Sequence, residues 1–155
     1  MTKRELLAQL AAAGVELNDG ARTLFASDAF VPAAAPYVIE TTELSVSDIG
    51  LTNGATLPQL VARAAADGLV PCPLEVGPHL RLQLLDQPAA PVEDERRHRA
   101  PPGSITIVSE SLSDQASFPK GFYLRRHGGA LWLRGYWCDD AHVWDPQDRV
   151  LFARR

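Results

Sequence analysis

The chain has 155 residues, 46% hydrophobic and 22% charged, which suits one soluble domain that needs no metal or disulfide staple to fold. Its net charge of −4 argues against a dedicated duplex-DNA binder, which carries a basic footprint. Charge is uneven: residues 1–85 carry 5 basic and 9 acidic groups, whereas residues 104–155 carry 7 and 6. Only the C-terminal third could attract an anion by its overall charge.

The opening TKRELLAQLAAAG predicts a helix. Thr2 and Glu5 have capping-box spacing, Leu6, Leu7, Leu10 and Ala13 form a stripe, and Gly14 is a stop. No signal-peptide pattern and no 20-residue apolar run is present, so a soluble cytoplasmic protein without a membrane partner is expected. Asn18 caps a second short helix through Leu24 and Phe25, which VPAAAP breaks. The β-branched stretch YVIETTELSV predicts a strand over 37–46 that joins a sheet edge. TLPQLVARAAADG predicts a helix capped by Thr56, with Pro58 in its first turn and Gly68 at its end.

Between 74 and 84 two readings stand. Leu80, Leu82 and Leu84 alternate as in a strand, and the competitor is a helix from Leu74. On a helix, Glu75 and His79 share a face, and the carboxylate would raise the His pKa. Otherwise they are a plain surface pair. Arg81 sits between apolar neighbours and needs a partner if buried. Residues 86–103 are rich in proline and carry seven charges, which predicts an exposed loop. A strand follows at SITIVSESL, and a last strand, RVLFA, after the turn at Asp145-Pro146-Gln147-Asp148.

GFYLRRHGGALWLRGYW predicts a two-residue hairpin turned at Gly128-Gly129. With His127 opposite Ala130, one face carries Phe122, Leu124, Leu131, Leu133 and Trp137, which is core. The other carries Tyr123, Arg125, Trp132, Arg134 and Tyr136. That second face is either a stiffening lattice of Arg-over-aromatic pairs or a recognition face, since Tyr, Trp and Arg are enriched at binding hot spots.

WCDDAHVWD gathers Cys138, Asp139, Asp140, His142 and Asp145, all residue types that can bind a metal. No paired-ligand spacing accompanies them, so an acidic turn is expected and neither metal nor cofactor is invoked. Cys72 and Cys138 fit no disulfide framework.

Cys72, Pro73, Glu75, Gly77, Pro78 and Leu80 to Gln83 form a CP-x-E-x-G-P-x-LRLQ block, and Leu131 to Gly135 an LWLRG strand. In these motifs the chain resembles a family of short bacterial proteins of unknown function. Some members carry a helicase label, but this chain has no phosphate loop and is too short for a motor core. The resemblance implies no catalytic residues.

The expected architecture is α+β in one domain, 1–155. A helical part spans about 1–85, an exposed loop 86–103 and a β part 104–155, with N-terminal helices packed on a C-terminal, mainly antiparallel sheet. The leading expectation for function is a non-catalytic module that binds a protein partner. The competing classes are a small enzyme with a pocket around Glu75, His79 and Arg81, and a single-stranded nucleic-acid binder using the aromatic–Arg hairpin face.

Overall fold

A computed structural model describes residues 1–89 and 103–155. Among the described residues four α-helices form, α1 (Lys3–Ala12), α2 (Asp19–Ala26), α3 (Leu57–Ala66) and α4 (Val76–Gln83), the first three started by side-chain caps at Thr2, Asn18 and Thr56. At α1 the Thr2 hydroxyl accepts from the Glu5 amide (3.1 Å), and the Glu5 carboxylate accepts from the Thr2 amide (2.7 Å). Thr56 and Gln59 repeat the device at α3. The segment left open between helix and strand is helical. Pro78 falls in the first turn of α4, where no intrahelical N–H is required, so it does not oppose the helix.

The strands are β1 (Glu16–Leu17), β2 (Thr41–Ser45), β3 (Ala55–Thr56), β4 (Leu69–Val70), β5 (Ile105–Ile107), β6 (Gly121–His127), β7 (Ala130–Tyr136), β8 (Val143–Trp144) and β9 (Arg149–Arg154). Seven form one sheet in the order β1-β7-β6-β5-β9-β2, with β4 also paired to β9. A ribbon of β3 and β8 lies apart. The α+β class is as expected, but two finer expectations need correction. The helices are interleaved with β1, β2, β3 and β4 rather than forming a purely helical N-terminal part. The sheet is mixed rather than mainly antiparallel, because β1 runs parallel to β7 and β5 parallel to β9. Short N-terminal strands insert beside C-terminal ones, a long-range pairing that local periodicity does not report.

The sheet is covered on both sides. Phe122, Leu124, Leu133, Ile107, Leu151 and Ala153 point to one core, with Leu6, Leu10, Leu24 and Val76 from the helices. Val150, Phe152, Val108 and Tyr136 point to the other, with Leu60 and Ala64 of α3 and Trp144 of β8. Alternation along β9 therefore serves both layers at once.

The expected exposed loop at 86–103 falls largely outside the described residues. At its near stem Gln87 is buried. Its side-chain amide donates to the Gly103 carbonyl (3.0 Å) and the Leu124 carbonyl (3.3 Å), which ties the two stems together over the sheet.

Candidate functional site

The hairpin has the expected register, from His127 opposite Ala130 to Gly121 opposite Tyr136. Gly128 and Gly129 have φ of 60° and 79°, the doubly left-handed turn that this short connection requires. Phe122, Leu124 and Leu133 lie in the first core. Trp137, expected beside them, is half-exposed past the end of β7, where its indole N–H donates to the Ser117 carbonyl (3.3 Å). An indole N–H has a partner to find, and the strand end leaves it at the rim.

The opposite face is not one open surface. Tyr136 is buried, with its ring edge-on to Trp144 (5.7 Å between centroids) and its hydroxyl donating to the Ile107 carbonyl (3.4 Å). Burial drives its phenol pKa far above the usual value. Tyr123 packs against the same second core. The tip half of the face holds the Arg134 guanidinium 4.9 Å from the Trp132 ring centroid and 5.9 Å from that of Tyr123. Arg125 reaches His127 Nδ1 at 3.2 Å. Of the five candidate residues, then, two belong to the packed second layer. The other three are half-buried, with Arg134 lying against the Trp132 and Tyr123 rings and its buried Nε without a hydrogen-bond partner among the described residues.

α4 divides the three remaining candidates. Glu75 and His79 face a cleft, whereas Arg81 points the opposite way and is fully buried beneath the hairpin. Its Nη1 donates to Gln87 Oε1 (2.6 Å) and to the carbonyls of Trp132 (3.2 Å) and Arg125 (3.4 Å), while its Nη2 donates to the Leu84 carbonyl. No carboxylate pairs with it among the described residues. Burial, and then the nearby Arg126 charge, bring its pKa down to about 10. The carbonyl end of α4 supplies favourable partial charge. Gly77 lies on this same face, where an added Cβ would stand 2.7 Å from the Phe122 ring, so the Gly-Pro of the block serves close packing.

The cleft has a volume of about 550 Å³ and lies between the 33–41 segment and the other face of α4. Ile39, Val76 and Leu80 give it apolar walls, and Glu75, His79 and Gln83 add polar groups. Glu75 is 9% exposed. Its two oxygens accept from the Ala33 amide (3.2 and 3.1 Å), and Oε1 also accepts from the Tyr37 hydroxyl (3.0 Å). Partial burial and then the Glu75 hydrogen bond push the Tyr37 phenol up to about 12. On the rim stand Val38, fully exposed, with Tyr37 and Met1. Sequence reasoning treated VPAAAP only as a helix breaker and missed this wall. The available signal was a run of apolar residues with no polar alternation between Val31 and Ile39.

At the acidic turn Asp139 Oδ1 accepts from the amides of Ala141 (3.0 Å) and His142 (2.8 Å), and the His142 ring stands edge-on to Trp144 at 5.1 Å. Among the described residues no three His, Cys, Asp or Glu side chains gather in a way that could hold a metal. Cys72 and Cys138 are free and buried, with burial pushing their thiols up to about 12 and about 11. No described helix is long and apolar enough to cross a membrane. In comparisons with known proteins, the chain matches no family model, no curated protein and no solved structure.

Proposed function

We propose that the protein is a non-catalytic interaction module that binds a protein partner, and that its docking site is the cleft beside α4 rather than the hairpin face. The observation that carries this reading is the rim. Val38, Tyr37 and Met1 expose apolar surface around a concave, apolar-walled groove, and contiguous exposed apolar surface marks interaction sites. Two observations weigh against the enzyme reading. Glu75 is occupied in holding Ala33 and Tyr37, and Arg81 lies across the helix from it. The nucleic-acid reading loses support because Arg134 already lies over the Trp132 ring that a base would need. A cytoplasmic setting and kinship with short bacterial proteins carrying the CP-x-E-x-G-P-x-LRLQ block belong to the same proposal.

The test is affinity capture from the native host with wild type, Val38→Asp and Trp132→Ala. Val38→Asp should weaken capture by ~2 kcal/mol or more, about thirtyfold, while Trp132→Ala leaves it intact. The reverse pattern would move the site to the hairpin.

A further inference from the structure

Resting on that reading, we infer that the partner is bound as an extended segment added to the open edge of β2, with a lysine or arginine side chain entering the cleft to meet Glu75. The edge comes from the sheet order, which ends at β2. The Arg154 amide donates to the Glu40 carbonyl (2.9 Å) and the Val46 amide to the Asp148 carbonyl (3.0 Å). By the alternation of an antiparallel ladder, residues 40, 42, 44 and 46 turn their backbone groups toward β9, and Thr41 and Glu43 turn theirs outward. The Ser45 amide, also outward, is taken by the Asp48 carboxylate (2.9 Å). The amides of Thr41 and Glu43 have no hydrogen-bond partner among the described residues. They offer the template that an added strand completes.

The side chains agree with the backbone. Ile39 and Thr41 share the sheet face that lines the cleft. A strand laid along this edge, about 4.8 Å away, would turn alternate side chains toward that cleft.

The charge fixes the chemistry of one of them. Glu75 is a nearly buried carboxylate held by neutral donors and forms no ion pair among the described residues, with His79 and Met1 further along the same cleft. Elsewhere the exposed carboxylates of this edge are compensated: Glu43 and Asp48 by Arg149, and Glu40 by Arg154. A buried charge without a countercharge is unfavourable, and one already stripped of water attracts an arriving cation strongly. The apolar walls at Val76, Leu80 and Ile39 suit the methylene stem of such a side chain.

The probe is a phage-displayed library of random ten-residue peptides, selected against wild type, Glu75→Gln and Val38→Asp. Glu75→Gln keeps an oxygen for the Ala33 amide and Tyr37 hydroxyl, and its melting temperature is measured to show that the fold is kept. Expected from wild type are peptides with one Lys or Arg flanked by alternating apolar residues. Glu75→Gln should lose the basic preference and bind those peptides at least tenfold more weakly. Saturation with an enriched peptide should slow hydrogen exchange of the Thr41 and Glu43 amides at least tenfold. Enriched peptides without basic residues, or without protection of those amides, would overturn the inference while leaving an interaction module standing. Failure to enrich any peptide, or equal enrichment by Val38→Asp, would remove the cleft as a docking site altogether. A dimer of the protein alone that dissociates on Thr41→Pro would assign the edge to a second copy and also overturn the inference.

Discussion

Arg81 is a fully buried charge held by one side chain and three backbone carbonyls. It joins the end of α4, the Gln87 stem and the hairpin backbone with a single guanidinium. Arg81→Met fills similar space but strands buried acceptors, so it should cost about 3 kcal/mol in urea unfolding. Arg81→Lys should recover little of this, because one ammonium cannot reproduce a planar fork. The sequence placed Arg81 among apolar neighbours and so raised the need for a partner. It could not show that the partners are carbonyls rather than a carboxylate. The two thiols make a pH prediction. Each is held neutral by burial, with its pKa raised from 9.0 to about 12 for Cys72 and about 11 for Cys138. Their contribution is present below pH 9 and is lost as pH rises through that window, since the unfolded thiols ionise first. Arg81 acts with the opposite sign above pH 10, because burial favours its neutral form. Comparing alkaline melting of the wild type with that of the Cys72→Ala/Cys138→Ala double variant isolates the thiol part. The double variant should lose less stability between pH 9 and 11.

At the scale of elements, the close approach of α2 to β7 depends on two glycines. An added Cβ at Gly135 would stand 2.5 Å from the Gly20 carbonyl carbon, and backbone cannot step aside as a flexible side chain can. The Asn18 side chain locks the same junction, accepting from the amides of Ala21 (2.9 Å) and Gly135 (2.8 Å) and donating to the Gly135 carbonyl (3.0 Å). Gly135→Ala should therefore destabilise by about 3 kcal/mol in chemical denaturation. Gly128→Asn, at a position where a Cβ meets nothing within 4 Å, should change stability by less than about 0.5 kcal/mol. The same contrast explains what was legible. α1, α3 and the hairpin carry their own start, stop and turn chemistry, so local pattern was sufficient. β1, β3 and β8 are two residues each and exist only because a distant strand lies alongside. The hairpin's alternation placed Phe122, Leu124 and Leu133 in one core, but it misplaced Trp137 and could not foresee that α3 and β8 would cover Tyr136. Glu75 and His79 were legible as neighbours at helical spacing. The wall that makes them a cleft, Tyr37 to Ile39, is an irregular segment without a periodic signal.

For the whole molecule, β9 is the common wall of both cores. Val150 and Phe152 serve one layer, and Leu151 and Ala153 the other. It pairs with β5, β2 and β4, so four strands depend on one another through it. A chain shortened by residues 149–155 should show no cooperative thermal transition by circular dichroism. Pairings such as Thr41 with Ala153 span most of the chain, which places folding in the millisecond-to-second range expected of sheets closed by distant partners.

The Gln87–Gly103 hydrogen bond carries a practical corollary. Two points 16 positions apart along the chain are held together by it. Closing a longer connection adds only about 0.6 kcal/mol for each doubling of its length. A compact fluorescent domain whose own ends lie close together could therefore be spliced in at this stem, and the host should keep its melting temperature within a few degrees. Such a chimera would carry its own optical label while both ends of the chain stay untouched.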